Sequence, residues 1–265
     1  MATRLEQKMA ALKAVGKKGI FIYITVGAPD FETSIRAVKE AEKHGADVIE
    51  VGLPFSDPMA DGPVIQGSSV RALKNGVTLE KELEFVREVR KFSDIPLIGM
   101  GYINPIYHRG LEASVVAFKE AGLDGFIIPD LPHEESGDMR AICAKHDFHL
   151  AEFITPGTTP ERMQETCKGA TGFIYCVSNN GVTGVKKIDY STIGKVCAQA
   201  RSFTDTPLAV GFGIGSPEAA VDAAAHADAV IVGSAVVGRL MEDRFDDAMH
   251  LIGSMREALD EAYSK

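Results

Sequence analysis

Two carboxylates stand where acid–base chemistry could use them. Glu50 is the one charged residue in the apolar run Val48-Ile-Glu-Val-Gly-Leu53, and Asp57 and Asp61 follow in the loop from Pro54 to Pro63. A carboxylate inside a strand-like segment is costly to bury unless it is partnered or protonated, so Glu50 asks for a chemical reason. Asp61 falls on the rim where that strand would end, so both acids could face one substrate. One would be lifted in pKa by apolar surroundings and deliver a proton; the other would stay ionised and balance positive charge. Plainer readings stay open: Glu50 turned outward to a helix lysine, Asp57 as turn chemistry beside a proline, and Tyr175 as a core aromatic with a satisfied hydroxyl.

Three glycine clusters in the C-terminal third suggest a second function. Gly181-Val-Thr-Gly184, Gly211-Phe-Gly-Ile-Gly215 and Gly233-Ser234 each follow a strand-like run. Glycine lets backbone N–H groups approach an anion, and late loops with a helix N-terminus cradle phosphate in (β/α)8 barrels. Neither a GxxxxGK[ST] run nor an early GxGxxG is present, which argues against a nucleoside triphosphate or a dinucleotide. The phosphate is a handle on the substrate.

The elements that must position these residues alternate regularly. Strand-like runs near Ile20 to Thr25, Val48 to Leu53, Pro96 to Met100, Gly125 to Pro129, Leu150 to Thr155, Gly172 to Val177, Leu208 to Gly211 and Ala229 to Val232 are separated by amphipathic stretches such as Phe31 to His44 and Leu79 to Lys91. Strands alternating with helices imply parallel βαβ units, and this number of them predicts a closed (β/α)8 TIM barrel. The stretches Arg4 to Val15 and Phe245 to Tyr263 read as extra N-terminal and C-terminal helices. A weak repeat, Gly45-Ala-Asp-Val-Ile-Glu-Val-Gly52, Gly122-Leu-Asp-Gly-Phe-Ile-Ile-Pro129, Gly169-Ala-Thr-Gly-Phe-Ile-Tyr-Cys176 and His226-Ala-Asp-Ala-Val-Ile-Val-Gly233, sets Glu50 against Ile127, Ile174 and Ile231. No linker or charge block divides residues 1–265, so a single barrel domain is expected.

The balance of charges narrows the partners. A net charge of −9 and a pI near 5.3, with no basic stripe, argue against nucleic acid. Cys143, Cys167, Cys176 and Cys197 have no CxxC spacing, so buried reduced thiols are expected, with neither disulfide nor metal. The charged N-terminus and the lack of a long apolar run predict a cytoplasmic protein with no membrane span.

Taken together, the motifs Glu50-Val-Gly-Leu-Pro-Phe-Ser-Asp-Pro-Met-Ala-Asp-Gly-Pro63, Tyr102-Ile-Asn-Pro105, Pro129-Asp-Leu-Pro-His-Glu-Glu-Ser136, Ser178-Asn-Asn-Gly-Val-Thr-Gly184 and Gly211-Phe-Gly-Ile-Gly215 resemble the tryptophan synthase alpha subunit family along nearly the full chain. The resemblance implies a cofactor-free (β/α)8 barrel that cleaves indole-3-glycerol phosphate to indole and glyceraldehyde 3-phosphate. It also implies an α2β2 complex in which indole passes to a beta subunit that carries pyridoxal phosphate. Carried over by position, Glu50 looks like the general acid and base and Asp61 like the carboxylate that holds the indole N–H. Tyr23, Met100, Ile127, Ile154, Tyr175, Phe212 and Ile231 would line the indole pocket, with Thr183 positioning Asp61. Backbone groups of Gly184, Gly213, Gly233 and Ser234 would hold phosphate, and Asp57, Asn104 and Pro105 would meet the beta subunit. Indole-glycerol-phosphate synthase and phosphoribosylanthranilate isomerase are competing barrels, but their sites would call for a lysine or cysteine in strand interiors, and no strand-like run here encloses a lysine. A stand-alone lyase releasing free indole fits the same residues. A non-catalytic activator of a beta-type partner fits them less well, since a pure regulator has no use for a buried acid.

Overall fold

A ring of parallel strands organises the chain. The computed structural model describes residues 2–177 and 190–263. Its strands are β1 (Gly19–Thr25), β2 (Val48–Gly52), β3 (Leu97–Met100), β4 (Gly125–Ile127), β5 (His149–Leu150), β6 (Glu152–Ile154), β7 (Ile174–Val177), β8 (Leu208–Gly211) and β9 (Ala229–Val232). They pair in the order β5-β4-β3-β2-β1-β9-β8-β7-β6. The two ends of that order, β5 and β6, are consecutive halves of the predicted fifth strand. The Ala151 N–H still bonds to Phe126 O on one side at 2.9 Å, and from Glu152 onward the strand pairs with Ile174 on the other. One strand thus changes neighbour at Ala151, which is how a staggered barrel closes.

Side-chain alternation gives the ring two apolar layers. Ile20, Ile22, Ile24, Ile49 and Val51 point outward and pack against helices in the larger core cluster, while Phe21, Val48, Ile98, Ile127, Phe173, Tyr175, Ala209 and Ile231 fill the barrel. Inside, the Phe21 and Phe173 rings meet edge to face at 5.1 Å. Ile174 belongs to the outer layer, so the expected match of Ile174 to Glu50 is corrected: the third repeat is displaced by one residue, and Tyr175 faces inward there. Ile154 is likewise outward, and the inward side chain of β6 is Phe153.

Helix Arg4–Ala14 opens with a capping box at Thr3 and sends Leu5, Met9 and Leu12 into the N-terminal end of the barrel. At that same end the aspartates of three repeat copies are fully occupied. Asp47 Oδ2 accepts from the Ile20 N–H at 3.0 Å and lies 3.2 Å from Arg256 Nη1, on helix Phe245–Tyr263. Asp124 Oδ2 accepts from the Leu97 N–H and from Arg90 Nη2, each at 2.9 Å, and Asp228 Oδ2 accepts from the Leu208 N–H at 2.8 Å and from Arg201 Nη2. Each carboxylate ties one strand start to its neighbour and to a covering helix. All four cysteines are buried free thiols, and among the described residues no helix is long and apolar enough to cross a membrane.

Candidate active site

The opposite end of the barrel holds the acids. Glu50 on β2 pairs in register with Tyr23 and Ile98, points into the barrel and is 2% exposed. Its Oε1 is buried with no hydrogen-bond partner among the described residues, which removes the outward-lysine reading. Burial is the main cause that lifts its pKa to about 8, with the Asp61 charge second. The acid is therefore protonated at neutral pH and has a buried, unsatisfied oxygen inside the barrel.

Asp61, 9% exposed, ends the loop that leads into helix Pro63–Lys74. The loop is folded on itself by Met59 N–H to Asp57 O at 2.9 Å, Asp61 N–H to Pro58 O at 3.1 Å, and Gln66 Nε2 to Asp61 O at 2.9 Å. Burial raises Asp61 to about 6, opposed by a hydrogen bond of 2.9 Å that Tyr102 Oη donates to its Oδ2. Asp61 therefore loses its proton while Glu50 keeps its own, so the Asp61 charge acts on Glu50 and not the reverse. Two acids separated in this way can divide a proton-transfer task between them.

An aromatic wall stands beside the pair. Tyr175 stacks on Phe153 at 5.3 Å and meets Phe212 edge-on at 6.4 Å. A Cβ on Gly211 would lie 2.2 Å from the Tyr175 hydroxyl, and one on Gly52 would lie 2.2 Å from the Tyr23 hydroxyl, so both tyrosines are seated by a glycine on the neighbouring strand. Phe212 has a φ of 77°, an unfavourable angle for a bulky side chain, and holds its ring at the mouth. Tyr23 also touches Ile65 and Val237, with Met100 and Met241 beside them.

The expected phosphate groups lie partly within this end. Gly213 has φ 76°, and Gly233 caps helix Ser234–Met241, its carbonyl accepting from the Val236 and Val237 N–H groups at 3.0 Å each. Earlier N–H groups of such a helix have no intrahelical partner and face the loop. Thr183 and Gly184 lie outside the described residues. Asp57 is exposed, with Ser56 Oγ donating to its Oδ2 at 2.5 Å, and Asn104 and Pro105 are exposed on helix Ile103–Arg109. Sequence reasoning missed two residues here. Phe153 carried no signal in the sequence, because the fifth predicted strand is apolar on both faces, and Tyr102 stood in a quoted motif but was read only through its neighbours Asn104 and Pro105.

A parallel barrel with a buried protonated glutamate and a lower-pKa aspartate at its C-terminal mouth defines an acid–base enzyme of the TIM-barrel class. The family model described as "Tryptophan synthase alpha chain" matches residues 9–261. The tryptophan synthase alpha chain of Clostridium kluyveri is 43% identical over 88% of this chain and 89% of its own length, and that of Aquifex aeolicus is 40% identical over 97% and 99%. The crystal structure of tryptophan synthase subunit alpha from Legionella pneumophila superposes with a TM-score of 0.89 at 35% identity, covering 98% of this chain and all of that one. A ligand-free tryptophan synthase structure from M. tuberculosis superposes at 0.88 and 29% identity over 97% and 99%. The chain belongs to the tryptophan synthase alpha chain family. It is an indole-3-glycerol-phosphate lyase of tryptophan biosynthesis, in a family that needs no cofactor of its own.

Proposed function

We propose that Glu50 and Asp61 perform the carbon–carbon cleavage, Glu50 as acid and then base, Asp61 as counter-charge. The observation that carries this is the buried Glu50 Oε1 with no hydrogen-bond partner among the described residues, on an acid whose pKa is raised to about 8. Protonated Glu50 gives its proton to indole C3, and the positive charge that develops at the ring nitrogen is held by the Asp61 carboxylate. Glu50, now ionised, takes the proton of the glycerol 3-hydroxyl. The C–O electrons close to an aldehyde, the bond to C3 breaks, and its electrons restore the aromatic ring. Glu50 ends protonated, ready for another turn. The ring lies against Tyr23, Met100, Ile127, Phe153, Tyr175 and Phe212, with Ile231 behind; Phe153 takes the place expected for Ile154. Backbone N–H groups of Gly213, Gly233 and Ser234 take the phosphate, joined by Gly184. Replacing Glu50 by Gln is nearly isosteric, so phosphate-ligand binding and fold are retained while indole formation falls about 10²- to 10⁴-fold. A Glu50→Gln enzyme that cleaves near the wild-type rate would falsify the assignment.

We further infer that the chain works as one domain, in the cytoplasm, on a beta subunit that holds pyridoxal phosphate and receives the indole in an α2β2 complex. Support comes from the mouth itself, where exposed Asp57, Asn104 and Pro105 adjoin Met59 and Tyr107, which are 78% and 72% exposed. Large apolar side chains left in water beside a catalytic mouth suit a subunit contact. Titrating purified beta subunit into an indole-release assay should raise the rate; a flat response without a complex in sedimentation would favour a stand-alone lyase.

A further inference from the structure

Tyr102 is neither one of the acids nor part of the aromatic wall, yet three contacts from one loop converge on it. Its hydroxyl donates to Asp61 Oδ2 at 2.9 Å and accepts from the Ala60 N–H at 3.1 Å, and its ring stacks on Phe55 at 5.4 Å. Phe55, Ala60 and Asp61 all lie between β2 and helix Pro63–Lys74. Tyr102 itself is only 3% exposed and comes from a different part of the ring, directly after Gly101, whose N–H bonds to Ile127 O at 3.1 Å. The next residue is also fixed, because the Ile103 N–H donates to Asp130 Oδ1 at 2.9 Å. A catalytic carboxylate on a loop is thereby referenced to β3 and β4 through one phenol. With the Ala60 N–H directed at the oxygen, the phenolic hydrogen is left for Asp61.

We propose that Tyr102 is a positioning residue of the lyase reaction, fixing the direction of the Asp61 carboxylate as the indole nitrogen becomes positive. The inference deepens the mechanism above and rests on Asp61 having the role given there. A hydrogen bond donated to an ionised carboxylate favours that form, so the same contact also keeps Asp61 charged against its burial.

The test compares Tyr102→Phe, Asp61→Asn and the double variant in steady-state cleavage of indole-3-glycerol phosphate across pH, with binding of a non-cleavable indolyl-alkyl phosphate as the check on site formation. Tyr102→Phe should lower kcat about 10- to 100-fold with KM and analogue affinity within about threefold of wild type, since the lost bond acts on charge that develops only in the transition state. Its acid limb should move up by about one pH unit, because Asp61 must be ionised and has lost a donor. Asp61→Asn should lose at least about 10²-fold, and the double variant should be no worse than Asp61→Asn. A Tyr102→Phe enzyme with an unmoved acid limb, or a penalty that multiplies with that of Asp61→Asn, overturns the positioning role while leaving Asp61 in place. Loss of analogue binding together with kcat would make Tyr102 a structural residue and also overturn it. Normal activity in Asp61→Asn would remove the assignment of Asp61 and the proposal with it.

Discussion

The two ends of the barrel treat buried acids in opposite ways. At the N-terminal end Asp47, Asp124 and Asp228 each accept from a backbone N–H of the neighbouring strand and from an arginine, so every one of them is partnered. At the C-terminal end Glu50 has a buried oxygen with no partner among the described residues, and Asp61 has one phenol. Both ends carry carboxylates on or beside the same kind of strand, and the repeat Gly-Ala-Asp-Val-Ile-Glu puts one of each kind three residues apart in Asp47 and Glu50. What separates these aspartates from Glu50 is therefore not the residue type but whether the surroundings complete the hydrogen bonds. The three satisfied aspartates staple the barrel floor, whereas Glu50, buried and unpartnered, has the oxygen that the proposed mechanism uses.

The sharpest way to break this comparison is to remove one acid from each end. Asp61→Asn should lose about 10²- to 10⁴-fold in indole formation with the thermal midpoint nearly unchanged. Asp124→Ala should do the reverse: by stranding Arg90 and the Leu97 N–H it should cost about 3 kcal/mol in chemical denaturation, while activity per folded molecule stays near wild type. If both variants lose activity and stability in like proportion, the division of labour between the ends is wrong.

A subtler difference concerns pH. Glu50 titrates near 8 in the folded protein, above the ordinary carboxylate value of 4.5, so between those values the native state holds a proton that the unfolded chain does not. Stability consequently falls as pH rises through that window, and the full penalty is present above pH 8. Glu50→Gln abolishes the penalty, so calorimetry at pH 5 and pH 9 should show the Gln variant gaining several degrees over wild type at the higher pH and little at the lower. An equal gap at both would mean that Glu50 is not desolvated. In the wild-type enzyme kcat/KM should be bell-shaped, rising near pH 6 and falling near pH 8 as the two acids of the pair titrate.

The smallest effect probes the seat of the wall. A Cβ on Gly52 would press on the Tyr23 hydroxyl and ring at 2.2 and 2.4 Å, so Gly52→Ala should lower kcat/KM roughly tenfold, mainly through KM, with modest loss of stability. Unchanged KM would place Tyr23 away from the ring.

The ring of strands and the inward Glu50 were legible because both are written as contrasts, apolar runs against amphipathic stretches and one acid among isoleucines. The parity of the fifth and sixth strands was not. Phe153-Ile154 and Phe173-Ile-Tyr-Cys176 are apolar on both faces, as strands of a parallel barrel are when helices cover one side and a packed interior the other, so nothing in them says which residue looks inward. Ile154 was accordingly expected to face inward when Phe153 does, and Ile174 was matched to Glu50 when Tyr175 faces in. Tyr102 was hidden for a different reason: its meaning lies in contacts with residues about 41 positions away, which no local pattern encodes. The bond between Tyr102 and Asp61 appears only once β2 and β3 are neighbours.

The N-terminal helix has a consequence for traffic. With Leu5, Met9 and Leu12 stacked beneath Phe21 and Phe173, the N-terminal end of the barrel is closed by an apolar floor. On the mechanism proposed above, indole set free beside Glu50 meets that apolar plug on one side, so among the described residues its way out lies towards the C-terminal face. A beta subunit seated over that face, as proposed, would take the product directly from the mouth, with the closed floor turning release into delivery.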